Sequence, residues 1–151
     1  MEINDTITEY KTVSNGMDFK YVGCFIDKDT LLRSISFLDR KALSNEVDNT
    51  HITFLYEPKT VDTSLFGSPV CFSVIGYGKN ADNEGLLVQI KSDIPQIKAM
   101  IPLIAVPHIT LSVSEIGKKR NTRYLDFLPI REIPLKGIFG GYKYTGEVVI
   151  S

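Results

Sequence analysis

Two stretches decide the fold: Asn49-Thr50-His51-Ile52-Thr53-Phe54-Leu55-Tyr56 and Val106-Pro107-His108-Ile109-Thr110-Leu111-Ser112-Val113. The chain carries only two histidines, and each opens the same tripeptide, His-Ile-Thr. In the first stretch Ile52, Phe54 and Tyr56 alternate with His51, Thr53 and Leu55, the period of two that defines a strand. By that parity each histidine shares a face with the threonine two residues on, about 7 Å along at a rise of roughly 3.3 Å per residue. The intervening isoleucines point the other way, into an apolar layer. The same parity puts Tyr56 opposite His51, in core or rim packing.

Outward from the first motif, Tyr21, Val22, Phe25 and Ile26 predict a strand over 20–26. Asp29 or Thr30 then caps a helix whose apolar positions are Leu31, Leu32, Ile35, Phe37 and Leu38. Residues 58–69 read as a loop. Val70–Tyr77 and Leu86–Ile90 read as strands around a polar turn. Ser92 or Asp93 caps a short helix through Ile94, Ile97, Lys98 and Ile101, with Pro95 tolerated in its first turn. A short helical turn is expected near Tyr124, and the tail from Ile133 to Ile150 reads as two strands around Gly140-Gly141 and Gly146. The first 18 or so residues are polar, a flap or an edge strand, in which Tyr10 and Lys11 are lid candidates.

The order strand, helix, histidine strand thus recurs at about 20–56 and 85–113. It predicts one α+β domain over 1–151, internally duplicated, with two lobes packed side by side: roughly 20–60 plus the C-terminal strands, and 70–130. Antiparallel sheets would frame a central groove.

At 151 residues, 43% hydrophobic and 23% charged, the chain can bury a core and is not a disordered type. A net charge of -1 argues against a broad surface for duplex DNA, which needs many phosphate neutralisations. It leaves room for a small anion held by a few local groups. Cys24 and Cys71 sit in apolar runs without metal-ligand spacing and make no disulfide framework. The amino terminus has no apolar signal core and no segment approaches a membrane span, so the chain reads as cytoplasmic.

If the two motif strands lie near each other, two imidazoles and two hydroxyls face one tetrahedral phosphate. The hydroxyls donate to non-bridging oxygens and the imidazoles move protons at bridging ones. Phosphodiester transfer needs a base for the nucleophile and an acid for the leaving oxygen. Histidines with ordinary pKa values near 6.5 supply both at neutral pH, with a bell-shaped pH dependence and no metal or other cofactor. No HExxH-like spacing or histidine cluster suggests a metal site.

The motifs NTHITFLY and VPHITLSV, in a repeated strand–helix–strand setting, resemble the 2H phosphoesterase superfamily, named for paired His-x-Thr motifs. That resemblance implies a bilobal sheet with the site between lobes, His51 and His108 as the acid/base pair, and Thr53 and Thr110 as phosphate-holding hydroxyls. Its branches include 2′-5′ RNA ligase-like proteins, cyclic nucleotide phosphodiesterases, RNA-end processing enzymes and the phage anti-CBASS nucleases that degrade cyclic oligonucleotide signals. The short single domain is similar to the last branch, which implies cleavage of 3′-5′ linkages in cyclic di- or trinucleotides, as phage counter-defence in a host cytoplasm. The alternatives are RNA-end chemistry, on 2′,3′-cyclic phosphates or 2′-5′ linkages, and a module that sequesters a nucleotide. Secondary substrate candidates are Lys118, Lys119 and Arg120, over a phosphate or in a solvated loop, and Tyr142 with Lys143 and Tyr144, stacking on bases or packing at an edge.

Overall fold

A computed structural model describes residues 13–15 and 18–151; the lid candidates Tyr10 and Lys11 lie outside the described residues. The molecule is an α+β fold built on an antiparallel sheet of eight strands. Its strands are β2 (Phe19–Phe25), β3 (Asn45–Glu46), β4 (His51–Tyr56), β6 (Pro69–Lys79), β7 (Asn83–Lys91), β8 (His108–Val113), β9 (Leu128–Lys143) and β10 (Val148–Val149). They follow the order β3-β8-β7-β6-β9-β2-β4, with β10 paired to β9. A separate pair joins β1 (Val13–Asn15) to β5 (Thr60–Asp62), the latter within the stretch expected to be a loop.

The two ends of that order, β3 and β4, are separated in the chain by only residues 47–50. A chain reaches at most about 3.6 Å per residue, so so short a link cannot cross the width of a flat seven-strand path. The sheet therefore rolls until β4 and β8, which share no ladder, lie against each other. This roll unites two motifs 57 residues apart (108 − 51).

One face of the sheet is apolar. Cys24, Ile52, Phe139, Val70, Phe72, Val88 and Ile109 all lie in the core. Helices α1 (Lys28–Ser34) and α2 (Pro95–Met100) add Leu31 and Ile97, each wholly buried. The α1 cap is Asp27, whose carboxylate accepts from the Thr30 backbone N–H at 3.0 Å, in place of Asp29 or Thr30. Helix α1 also stops at Ser34, which leaves Phe37 at 43% exposure beneath the Arg131 guanidinium. Ile94 occupies the α2 cap position without a side-chain hydrogen bond, and Pro95 starts that helix. In the tail a single strand, β9, runs through Gly140-Gly141. The turn comes later, at Gly146, whose φ of +93° suits glycine.

The link between α1 and β3 is pinned by a charge that sequence reading did not single out. Glu84 is fully buried, and its carboxylate accepts from Arg40 Nε at 2.9 Å, Arg40 Nη2 at 2.7 Å, Tyr77 Oη at 2.6 Å and Ser112 Oγ at 2.7 Å. Four donors offset its desolvation and hold the carboxyl below its usual range despite burial. The Ser112 hydroxyl in turn accepts from the Leu43 N–H at 2.9 Å.

Candidate functional site

Both His-Ile-Thr segments lie on strands with the same local geometry. In β4 paired with β2, His51 faces Phe25, Ile52 faces Cys24 and Thr53 faces Gly23, after which the register slips so that Leu55 faces Val22. In β8 paired with β7, His108 faces Leu87, Ile109 faces Leu86 and Thr110 faces Gly85, after which Ser112 faces Glu84. Each motif strand therefore carries one extra residue, Phe54 or Leu111, just after its threonine, and each threonine lies opposite a glycine. A Cβ on Gly23 would sit 2.0 Å from the Ile52 carbonyl oxygen, and one on Gly85 would sit 2.7 Å from that of Ile109. Those separations exclude any side chain, so the glycines let the bulged backbones close up.

The bulge overturns the expected position of Tyr56. The extra residue restores it to the face of His51, opposite Tyr21, where it is 62% exposed. It likewise turns Ser112 from the Thr110 face towards Glu84.

The residues before each histidine match as well. Thr50 and Pro107 carbonyls accept, each at 3.1 Å, from the Ile26 and Val88 N–H groups. His51 Nδ1 lies 2.9 Å from the Asn49 carbonyl oxygen, and His108 Nδ1 lies 2.7 Å from that of Val106. A carbonyl can only accept, so each Nδ1 carries the hydrogen and each Nε2 is left as the free basic nitrogen. Tyr21 stacks on the His51 ring at 4.4 Å between centroids and Tyr142 stacks on Tyr21 at 5.0 Å, which fixes the imidazole plane.

Both imidazoles are half-buried and lie on one sheet face. From His51 a row runs through Phe25 and Ile138 to Pro69. Two residues further along β6 and β9, on the same face, comes a row of Lys91, Cys71 and Lys136. Alternation along β7 carries that face from Lys91 to Leu87, the partner of His108. Of two surface depressions, one of about 220 Å³ near Val61 and Met100 contains no site residue. The other, about 440 Å³, is lined by Cys71, Phe72, Ser73, Lys91, Pro134, Leu135 and Lys136; it too contains no site residue, but Cys71, Lys91 and Lys136 belong to the histidine face.

Burial depresses the basicity of both histidines, against the expectation of ordinary values. For His51 burial is the main cause, aided by the nearby charges of Lys119 and His108 and opposed by the Asn49 carbonyl, and its pKa falls to about 4. For His108 burial again leads, opposed by the Val106 carbonyl and aided by Arg123. Both rings are thus neutral at pH 7 in the free protein. The His108 charge bears on His51, so the two imidazoles lie within electrostatic reach of each other.

Of the basic triplet, only Lys119 bears on a histidine. Lys118 contributes its carbonyl, which accepts from Asn83, and Arg120 is exposed. The residue missed is Arg123, four positions on in the 3-10 turn Lys119–Tyr124, beside His108. In a 3-10 turn positions four apart do not share a face, so no spacing in the sequence pointed to Arg123, whose guanidinium also donates to Tyr124 Oη at 2.7 Å. Tyr142 joins the site only through Tyr21. Thr53 is half-buried and its hydroxyl meets no hydrogen-bond partner among the described residues. Thr110 is 8% exposed, with its oxygen 2.8 Å from Thr122 Oγ1 and 3.3 Å from the Lys119 carbonyl. Among the described residues no group of three or more His, Cys, Asp or Glu is placed to hold a metal ion, and no helix is long and apolar enough to cross a membrane.

No protein-family model matches the chain, and no curated protein matches it.

Proposed function

We propose that the chain is a metal-independent phosphodiesterase of the 2H type, which cleaves 3′-5′ linkages of small cyclic di- or trinucleotides. The observation that carries this reading is the matched pair of imidazoles. Each is locked by a backbone carbonyl at Nδ1, each presents a free Nε2, and both lie on one sheet face within electrostatic reach. The repeated bulge, glycine and carbonyl lock support an internal duplication, with two lobes framing one groove.

In the reaction the neutral Nε2 of one histidine takes the proton of a ribose 2′-hydroxyl. The 2′-oxygen attacks phosphorus, the bond from phosphorus to the 5′-oxygen breaks, and the protonated Nε2 of the other histidine delivers its proton to that oxygen. The products are a 2′,3′-cyclic phosphate and a 5′-hydroxyl. Thr53 and Thr110 hold the non-bridging oxygens, and Lys119 and Arg123 supply positive charge beside them. Because both rings are neutral in the free protein, the anionic phosphate is what raises one imidazole into its acid form. A compact anion on the histidine face, with Lys91 and Lys136 further along it, fits a cyclic oligonucleotide better than a long strand in a basic groove. Action in a host cytoplasm on a nucleotide signal is part of the same proposal.

The test is incubation with cyclic dinucleotides, cyclic trinucleotides, 2′-5′ oligoadenylate and RNA ending in a cyclic phosphate, read by mass. Linear product from the cyclic ligands, unchanged by EDTA and lost in His51→Ala and His108→Ala, is expected. Turnover of the RNA alone would replace the substrate class, and ligand recovered intact after denaturing the complex would make the chain a sequestering module.

A further inference from the structure

Resting on the phosphodiester reading, we infer that Asn83 and Thr122 are positioning residues that aim the Thr110 hydroxyl at the phosphate. Asn83 opens β7, Thr110 lies on β8 and Thr122 belongs to the 3-10 turn that packs against both strands; Asn83 at 2% exposure and Thr122 at 0% are almost sealed from solvent. Asn83 Nδ2 is 2.8 Å from the Lys118 carbonyl oxygen and 3.0 Å from Thr122 Oγ1. The Lys118 carbonyl only accepts, so the Asn83 group facing it is the NH2, and its second hydrogen goes to Thr122.

Thr122 Oγ1 thus receives a hydrogen bond and has its own hydrogen to place. The neighbouring hydroxyl within reach is that of Thr110, at 2.8 Å. Were Thr110 to donate inward instead, the Thr122 hydrogen would be orphaned in a sealed site, a costly arrangement. The arrangement that leaves neither hydroxyl hydrogen orphaned runs from Asn83 to Thr122 to Thr110. It leaves the Thr110 hydrogen for the Lys119 carbonyl at a long 3.3 Å, a weak hold that an anionic oxygen outcompetes. Thr53 has no such support, so the two threonines differ: one turns freely and one is aimed in advance.

The experiment uses the full chain and inorganic phosphate as probe. With two histidines in the chain, the imidazole NMR signals report binding at this site without ambiguity. Thr122→Val keeps the shape and removes the hydroxyl; it should weaken phosphate binding about tenfold, the worth of one well-placed hydrogen bond. Thr122→Ser should restore it. Thr110→Val combined with Thr122→Val should be no weaker than Thr110→Val alone, because both act through one hydroxyl. On a turned-over cyclic dinucleotide the same variants should lower kcat with KM changed less. Asn83→Ala, which removes the first donor, gives an independent route should Thr122→Val fail to fold. Equal phosphate affinity in wild type and in whichever of these variants folds, with only the melting temperature lowered, would overturn the relay and leave the phosphodiester reading intact. No phosphate-dependent shift of either imidazole in the wild type would remove both.

Discussion

Lowering the pH should destabilise this protein through His51 by an amount that its burial sets. The unfolded imidazole has the ordinary value of 6.5 and the folded one about 4. The folded state thus binds its proton more weakly than the unfolded state, so acid favours unfolding. The stability contributed by keeping the ring neutral is complete above pH 6.5 and drains away as pH falls towards 4. Linkage over that gap gives about 2 kcal/mol lost by pH 5 and about 3 kcal/mol by pH 4, with 1.36 kcal/mol for each pKa unit. His108 is depressed in the same direction and adds to the slope. Urea unfolding at pH 7.5, 5 and 4 measures the loss, and His51→Gln, which cannot titrate there, provides the reference that cancels the carboxylates. The wild type should lose about 2 kcal/mol more than the variant between pH 7.5 and pH 5. Parallel pH curves for the two proteins, or an imidazole NMR titration putting His51 at or above 6.5, would refute the reasoning.

Four other outcomes follow from the same geometry. His51→Ala and His108→Ala should each reduce turnover by about 10²–10⁴-fold with far-UV circular dichroism preserved, since in the proposed mechanism each removes one proton-transfer partner. Because both rings are depressed in the free protein, kcat/KM should peak on the acid side of pH 6.5, whichever histidine is the acid. The kcat profile should sit at higher pH, because bound phosphate stabilises an imidazolium; coincident profiles near 7 would contradict this. Gly23→Ala should lower stability by more than about 2 kcal/mol in denaturant, or prevent folding, because the Cβ 2.0 Å from the Ile52 carbonyl oxygen meets backbone that cannot move aside. Glu84→Gln should cost about 3 kcal/mol in the same assay, because it leaves Arg40 without its carboxylate in a half-sealed site.

Much of the architecture was legible because strand parity is a strong signal. His51–Tyr56 and His108–Val113 are strands with the bounds their alternation implies, and the strand–helix–strand order reappears on both sides. Parity failed where the ladder slips: Tyr56 and Ser112 sit one residue past a bulge, and nothing in Thr53-Phe54-Leu55 or Thr110-Leu111-Ser112 marks the extra residue. The glycines facing the threonines, Gly23 and Gly85, did carry a trace of it, since an isolated glycine inside a strand is a bulge signal. Helix α1 ended early because its apolar spacing beyond Ser34 serves loop packing, with Leu38 against the core and Phe37 outside. Burial energetics were illegible altogether. The depressed basicity of both imidazoles depends on what rolls over them in three dimensions, and so does the role of Arg123.

The rolled sheet and the repeated bulge together explain why this site needs so little sequence. Each motif strand lies antiparallel to its own partner, and closing the sheet sets β4 beside β8. Two copies of one local geometry then face each other, and each supplies an imidazole with the same tautomer and a threonine at the same offset. The proposed mechanism needs one acid and one base, and identical units cannot by themselves supply that difference. The difference has to come from what surrounds them: Tyr21 stacked on His51, the Lys119 charge near it, the Arg123 charge near His108, and the buried Thr122 hydroxyl against Thr110 with no counterpart against Thr53 among the described residues. Exchanging those surroundings while keeping both motifs, as Tyr21→Leu does for His51, should therefore shift one limb of the pH–rate profile and leave the other in place. Equal movement of both limbs would mean that the pair titrates as a single unit rather than as two distinguishable sites.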